Sequence, residues 1–151
     1  SINLHHIIKC IGFMVMSEQN DITDIQEARE SIEVQAATLA AQRRTDEDIM
    51  RASAALAEME ARIVHGKSPT QASLSFHEEL VKASHNDILV KVNDFLREML
   101  KISRQETLRD PAQLTLAVQQ HREILQAVIE RDSEKAAMLM REHLRVLPTH
   151  H

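Results

Sequence analysis

Apolar residues recur every three or four positions along most of this chain, which is the pattern of helices that each bury one face. The clearest stretch runs from Gln119 to Leu144 and sets His121 and His143 within the apolar faces of two consecutive predicted helices. His77 occupies the same kind of position on an earlier helix. The other residues on these faces, for His121, His143 and His77 in turn, are Leu114, Ala117, Val118, Ile124, Leu125 and Val128; Ala136, Leu139, Met140, Leu144 and Leu147; and Ala72, Phe76, Leu80 and Ser84. The pattern therefore predicts three imidazoles pointing inward from three helices.

Capping residues mark where the helices begin, because Ser, Thr, Asn and Asp oxygens accept hydrogen bonds from the free amides of a first turn. They predict six helices, with a shorter one before them from about Leu4 to Ser17. The predicted starts are Thr23 with Gln26 as a capping box, Thr45, Ser68 with Pro69 at the first helical position, Asn86, Asp110 with Pro111, and Asp132. The connections are short, so neighbouring helices should be antiparallel. We expect an all-α fold, an antiparallel bundle of six to seven helices that forms one domain over residues 1–151.

Composition supports this fold class and restricts the partners. Of 151 residues, 43% are apolar, yet there is no Trp or Tyr and only three Phe, which favours a helical bundle over sheets. The net charge of −5 argues against binding nucleic acid by this chain alone. The apolar run Ile7–Met16 is too short to span a bilayer, and a single cysteine is compatible with the cytoplasm.

Three inward histidines admit two interpretations. Each could be a separate core residue whose ring nitrogens find a backbone carbonyl or a hydroxyl. Alternatively, the three share a metal ion, because neutral imidazole is a common metal ligand and three of them leave coordination positions open for water or a ligand. Helical phase shows that the side chains point inward, and it leaves open whether they meet.

Arg29 is a charged side chain on a predicted inner face, the stripe that also carries Ile25, Ile32, Ala36 and Leu39. A buried guanidinium requires a partner, and its planar fork suits a carboxylate. Glu33, one turn further on, could pair with it within the helix. If the domain binds an anionic ligand, Arg29 is the residue that we expect to contact it.

Four segments resemble the FCD ligand-binding domain found at the C-terminus of GntR-type bacterial transcription regulators. They are EARESIEVQAATLAA from Glu27, RTDEDI at the next helix start, SFHEELVKASHNDIL from Ser75, and the opening stretch with its paired histidines. In this order, and with His121 and His143 twenty-two residues apart, they are together quite specific. The resemblance covers Asp21 to Leu147.

The resemblance implies an antiparallel helical bundle that binds a small-molecule effector, often a carboxylic acid, in a central cavity. Many such domains hold a divalent metal through three histidines and an aspartate four residues before the first of them. His77, His121 and His143 match the histidines, whereas Ser73 stands where the aspartate is expected. Serine is a poor, neutral ligand, so metal affinity should fall, or water or the effector's own carboxylate should complete the coordination. Zinc, nickel and manganese are the candidate metals.

The resemblance also implies a winged helix-turn-helix domain ahead of this one, and nothing in these residues corresponds to it. We therefore expect a cytoplasmic, homodimeric sensing domain that is not an enzyme, contacts no membrane, and reaches DNA only through that missing domain. Ser73 and Arg29 are its expected effector contacts. The alternative is a metal-free helical dimerisation module, and a metal-dependent hydrolase is disfavoured because no general base is identifiable.

Overall fold

Six helices form the greater part of the described chain, which in this computed structural model comprises residues 3–7, 9–10, 22–103 and 110–146. They are α1 (Ile22–Arg43), α2 (Asp46–Val64), α3 (Thr70–Ala83), α4 (Asp87–Ser103), α5 (Pro111–Ile129) and α6 (Ser133–Val146). The described residues contain no strand, which confirms the all-α prediction. Residues 4–7 and 9–10 are helical, and the rest of the helix predicted from Leu4 to Ser17 lies outside the described residues.

Four of the predicted helix starts are confirmed by their hydrogen bonds. The Thr45 hydroxyl accepts from the Asp48 amide at 3.1 Å, and the Asp48 carboxylate accepts in return from the Thr45 amide at 2.8 Å, a complete capping box. Asn86, Asp110 and Asp132 each accept, through a side-chain oxygen, from amides two or three residues further on. These bonds satisfy amides that the first turn of a helix leaves free.

Two predicted starts differ from the structure by one or two residues. Helix α1 begins at Ile22, so Thr23 lies within the first turn and not at the cap. Helix α3 begins at Thr70, and Pro69 occupies the cap position with non-helical backbone angles. The Ser68 hydroxyl accepts from the Thr70 amide at 3.3 Å, a local turn that keeps Pro69 outside the helix.

Helix α1 is the centre of the bundle, because it contacts α3, α4, α5 and α6. The C-terminal half of α1 carries four alanines that are at most 1% exposed, and their small side chains allow neighbouring helices to approach closely. They are Ala36, Ala37, Ala40 and Ala41. Its N-terminal half packs through Ile25 against Leu96 and Met99 of α4. No helix within the described ranges is long and apolar enough to cross a membrane.

The predicted inner faces of α3, α5 and α6 are confirmed. Every predicted member within the described residues is buried except Leu114 and Leu139, which are half-buried, and Leu147 lies outside the described residues. The prediction for α1 was less accurate. Ile32 and Leu39 are only half-buried, whereas Glu33 is fully enclosed.

Candidate metal and effector site

The three predicted histidines meet in the middle of the bundle. His77 on α3, His121 on α5 and His143 on α6 are each no more than 3% exposed. Their ring centroids lie 4.7 to 5.2 Å apart. One ring nitrogen from each lies within 4.8 Å of the others, and among the described residues these three form the group of ligand side chains close enough to share an ion.

The Nδ1 atom of each ring is held by an acceptor that lies outside this cluster. His77 Nδ1 donates to Glu33 Oε1 at 2.5 Å, and His121 Nδ1 donates to the Ala117 carbonyl at 2.6 Å. His143 Nδ1 donates to Gln120 Oε1 at 2.8 Å. A carboxylate or carbonyl oxygen can only accept, so each Nδ1 carries a proton and Nε2 is the nitrogen left to bind a metal.

The Nε2 atoms point into the cluster. His77 Nε2 and His143 Nε2 are 3.1 Å apart, and the Ser73 hydroxyl donates to His121 Nε2 at 3.1 Å. Imidazole nitrogens bound to one zinc ion at about 2.0–2.1 Å lie roughly 3.0–3.4 Å from each other. The spacing between His77 and His143 therefore suits a shared ion, and Ser73 lies on the same side of the cluster as the lone pairs.

A buried network of charged side chains holds His77 on the side of the ring that faces away from the cluster. The Arg29 Nε donates to Glu33 Oε2, while the other carboxylate oxygen of Glu33 accepts from His77. Burial raises the pKa of the Glu33 carboxyl, but the adjacent Arg29 and His77 outweigh this effect and hold that pKa well below its usual range. Glu33 is thus an anion at neutral pH and orients the His77 ring, as carboxylates commonly do behind metal-bound histidines.

Burial also keeps two of the rings neutral. Desolvation, reinforced by the neighbouring His77, lowers the pKa of His121 to about 3. The same causes lower the pKa of His143 to about 2, with His121 adding to the effect. Both rings therefore present an unprotonated nitrogen at neutral pH, the form that binds a metal.

The residues predicted from the sequence fall into two groups. His77, His121, His143 and Ser73 come together in the cluster, whereas Arg29 reaches it through Glu33 and not by direct contact with an imidazole. The pairing of Arg29 with Glu33 that the sequence left open is present.

Sequence reasoning named Glu33 only as a possible partner of Arg29, and it did not identify Glu33 and Gln120 as the acceptors that hold His77 and His143. Glu33 is one turn after Arg29 on the same face, and that spacing could have placed it inside. Gln120 precedes His121 in sequence yet supports His143 on the next helix, and no sequence signal indicates this.

The donor set fits a divalent metal. It offers three imidazole nitrogens on three helices, each ring fixed by an outward hydrogen bond, and a hydroxyl beside them. Phe76 closes one side, its ring centroid 4.7 Å from that of His121. A ligand bound to all three nitrogens would couple the positions of α3, α5 and α6, and Glu33 would connect it to α1.

Comparison with known proteins places this helical bundle among the domains of transcription regulators. The family model described as FCD domain matches residues 24–146, and the chain belongs to this family. Its relatives are GntR-type transcription regulators, a non-enzymatic family.

Two relatives show how much of a whole regulator this chain represents. It is 26% identical over 146 residues to the HTH-type transcriptional regulator LutR of Bacillus subtilis, covering 93% of this chain and 67% of that protein. It is 30% identical over 149 residues to an Escherichia coli protein named for regulation of the L-lactate dehydrogenase operon, covering 95% of this chain and 57% of that protein. The chain thus spans between half and two thirds of the length of these regulators.

A third relative and a solved structure agree with this assignment. The galactonate operon transcriptional repressor of Escherichia coli is 26% identical over 123 residues, covering 79% of this chain and 54% of the repressor. The structure of Escherichia coli McbR/YncC superimposes with a TM-score of 0.69 at 18% identity, covering 82% of this chain and 60% of that one. This superposition supports the fold.

Proposed function

We propose that this domain is the effector-sensing and dimerisation part of a GntR-type regulator, and that it binds a small carboxylate metabolite through a divalent metal held by His77, His121 and His143. The observation that carries the proposal is the orientation of the three rings. Each Nδ1 donates away from the cluster, so each Nε2 is the nitrogen left to bind a metal. His77 Nε2 and His143 Nε2 are 3.1 Å apart, the separation of two nitrogens on one ion, and His121 Nε2 contacts the Ser73 hydroxyl.

The proposed effector follows from the chemistry of such a site. A divalent ion bound there would serve as a Lewis acid toward carboxylate oxygens, with coordination positions left open by the three imidazoles. Ser73 lies beside those positions, and Arg29 is paired with Glu33, the carboxylate that supports His77. Both are proposed effector contacts.

Relatives suggest a narrower class of effector. Two of them are named for the L-lactate dehydrogenase and galactonate operons, and lactate and galactonate are both 2-hydroxycarboxylates. Such a molecule can chelate one metal through a carboxylate oxygen and the adjacent hydroxyl. We therefore propose a small hydroxycarboxylate as the effector class.

The response would pass through the bundle. Because the site ties α3, α5 and α6 to each other and, through Glu33, to α1, a ligand that prefers one arrangement of these helices shifts the population towards it. In a cytoplasmic homodimer this shift would change the spacing of the two DNA-binding domains of the whole regulator. DNA contact belongs to those domains, consistent with the net charge of −5 on this chain.

The test of the metal site is elemental analysis of protein purified without chelator and without a metal-affinity step. His121→Ala is the test variant, and His65→Ala is the matched control, because His65 is exposed and its Nδ1 bonds only to the carbonyl of its own helix. We expect near-stoichiometric zinc, nickel or manganese in the parent and the control, and loss in His121→Ala. Circular dichroism would show whether the variant retains its helices.

A different result would support the metal-free dimerisation module. In that case no preparation would hold metal, even after zinc, nickel and manganese are added. Nor would any metal or small carboxylate raise the melting temperature, as a ligand of the native state must.

A further inference from the structure

The donor atoms of the proposed metal site carry no net negative charge. They are imidazole nitrogens of His77, His121 and His143 and the hydroxyl of Ser73, and none of these groups is anionic. The group of potential metal ligands contains no carboxylate among the described residues. A divalent cation would therefore enter a buried site whose own ligands do not offset its charge.

The buried carboxylate nearby does not compensate for this. Arg29 donates to one oxygen of Glu33 and offsets the charge of this carboxylate within the same buried network. The other oxygen of Glu33 is used by His77 Nδ1, so the carboxylate stands behind the ring and away from the lone pairs. The pair of Arg29 and Glu33 has no net charge, and imidazole nitrogens and a hydroxyl add no negative charge, so a bound divalent ion would remain uncompensated in a buried site.

Resting on the proposed function, we propose that the metal and an anionic effector bind this domain as a mutually dependent pair, and that Ser73 creates the dependence. Each is expected to bind weakly alone, because an unpaired buried charge is costly. A carboxylate bound to the metal supplies the missing negative charge, so each partner strengthens the other. The domain would then respond to the coincidence of metal and metabolite, and metal retained by the purified protein would be accompanied by a bound anion.

Linkage gives the proposal a quantitative form. If the anion tightens metal binding by a given factor, the metal must tighten anion binding by the same factor. Isothermal titration calorimetry of the parent with zinc, in the presence and absence of about 10 mM L-lactate, measures the effect of the anion on metal binding. Titration with L-lactate, in the presence and absence of saturating zinc, measures the effect of the metal on anion binding. The buffer at pH 7 should contain perchlorate as its only added anion, and acetate serves as a second probe without the hydroxyl.

We expect the zinc Kd to fall at least tenfold when L-lactate is present, and the lactate Kd to fall by the same factor when zinc is present. The test variant is Ser73→Asp, which places a carboxylate beside His121 Nε2. This variant should bind zinc tightly without any added anion. The ratio of its zinc Kd without L-lactate to that with L-lactate should therefore drop towards one. Ser53→Asp is the matched control, because it adds the same charge at an exposed position of α2 and should behave as the parent does.

The outcomes separate this inference from the proposed function. Zinc that binds the parent equally tightly with and without either carboxylate would overturn the mutual dependence and leave the metal site intact. No zinc binding under any condition would overturn the proposed metal site and the dependence together. The titrations of the parent protein with zinc and L-lactate distinguish these cases even if Ser73→Asp fails to fold.

Discussion

Replacing Glu33 by glutamine separates the two roles that the structure gives to this carboxylate. Glu33 neutralises Arg29 and orients His77, and it is only 2% exposed. Glutamine has nearly the same shape and can still accept the His77 Nδ1 proton through its amide oxygen. Glu33→Gln therefore removes the charge and keeps the packing.

Two different losses should follow. The Arg29 side chain is 14% exposed, so without Glu33 it becomes a largely buried cation with no partner. Breaking one side of such a pair costs about 3–5 kcal/mol of folding free energy. Weakening the acceptor behind a metal-bound histidine typically costs about 10–100-fold in metal affinity. Glu33→Gln should thus lose about 3 kcal/mol of unfolding free energy and at least tenfold in metal binding.

The double variant Arg29→Met with Glu33→Gln distinguishes the two effects. It removes the uncompensated charge, so we expect it to recover at least half of the stability lost by the single variant, but none of the metal affinity. Glu30→Gln on the same helix is the control, because Glu30 is 23% exposed, pairs with Arg145, and should change stability by less than about 1 kcal/mol.

Urea denaturation in the presence of a chelator measures the stabilities, and titration with zinc measures the affinities. The reasoning is refuted if Glu33→Gln unfolds within about 0.5 kcal/mol of the parent, which is the size of an ordinary surface substitution. It is equally refuted if the double variant regains both stability and metal affinity.

Three further predictions concern pH, capping and packing. Because the pKa values of His121 and His143 are lowered to about 3 and about 2 from 6.5, the unfolded chain binds more protons than the native one below pH 6.5. Above pH 6.5 these rings should not affect the free energy of unfolding of the metal-free protein. Below pH 6.5 each ring should lower that free energy by about 1.4 kcal/mol per pH unit. An unfolding free energy from urea denaturation that does not change between pH 7 and 5 would contradict this. Thr45→Ala removes a capping box and should cost about 1–2 kcal/mol by urea denaturation, and an unchanged midpoint would show that the cap contributes nothing. Ala40→Leu adds three carbons at a fully buried position of α1, and overpacking should lower the free energy of unfolding by about 1–3 kcal/mol. The melting temperature should therefore fall, whereas a more stable variant would reveal unfilled space there.

Helix phase and capping made most of the fold predictable. Thr45, Asn86, Asp110 and Asp132 open their helices as expected, because a cap is a local interaction within four residues. The inner faces of α3, α5 and α6 were predictable for the same reason, since strongly apolar residues alternate there with charged ones. Local signals of this kind do not depend on how the helices pack.

The inner face of α1 was harder to predict because the helix is rich in alanine. Ala28 is exposed, whereas Ala36, Ala37, Ala40 and Ala41 are buried, so an alanine in this helix gives little contrast between inside and outside. Ile32 and Leu39 were therefore assigned to the core ahead of Glu33. The burial of Glu33 depends on His77, 44 residues further along the chain, and such a contact leaves no mark in local spacing.

The histidine cluster illustrates the same division. Periodicity predicted that His77, His121 and His143 point inward, but it could not show that they meet. Their convergence depends on how α3, α5 and α6 pack around α1. The tautomers, set by Glu33, Ala117 and Gln120, were beyond sequence reasoning because each requires the orientation of a ring.

The central claim is that three imidazoles bind one metal ion, and X-ray absorption at the zinc edge of the zinc-loaded domain tests it most directly. We predict a first shell containing three imidazole nitrogens at about 2.0–2.1 Å, with oxygen in the remaining positions. His143→Ala should reduce the imidazole count to two, and His65→Ala should leave it at three. A spectrum without imidazole scattering, or one that His143→Ala leaves unchanged, would contradict the claim and assign the bound zinc to another part of the chain.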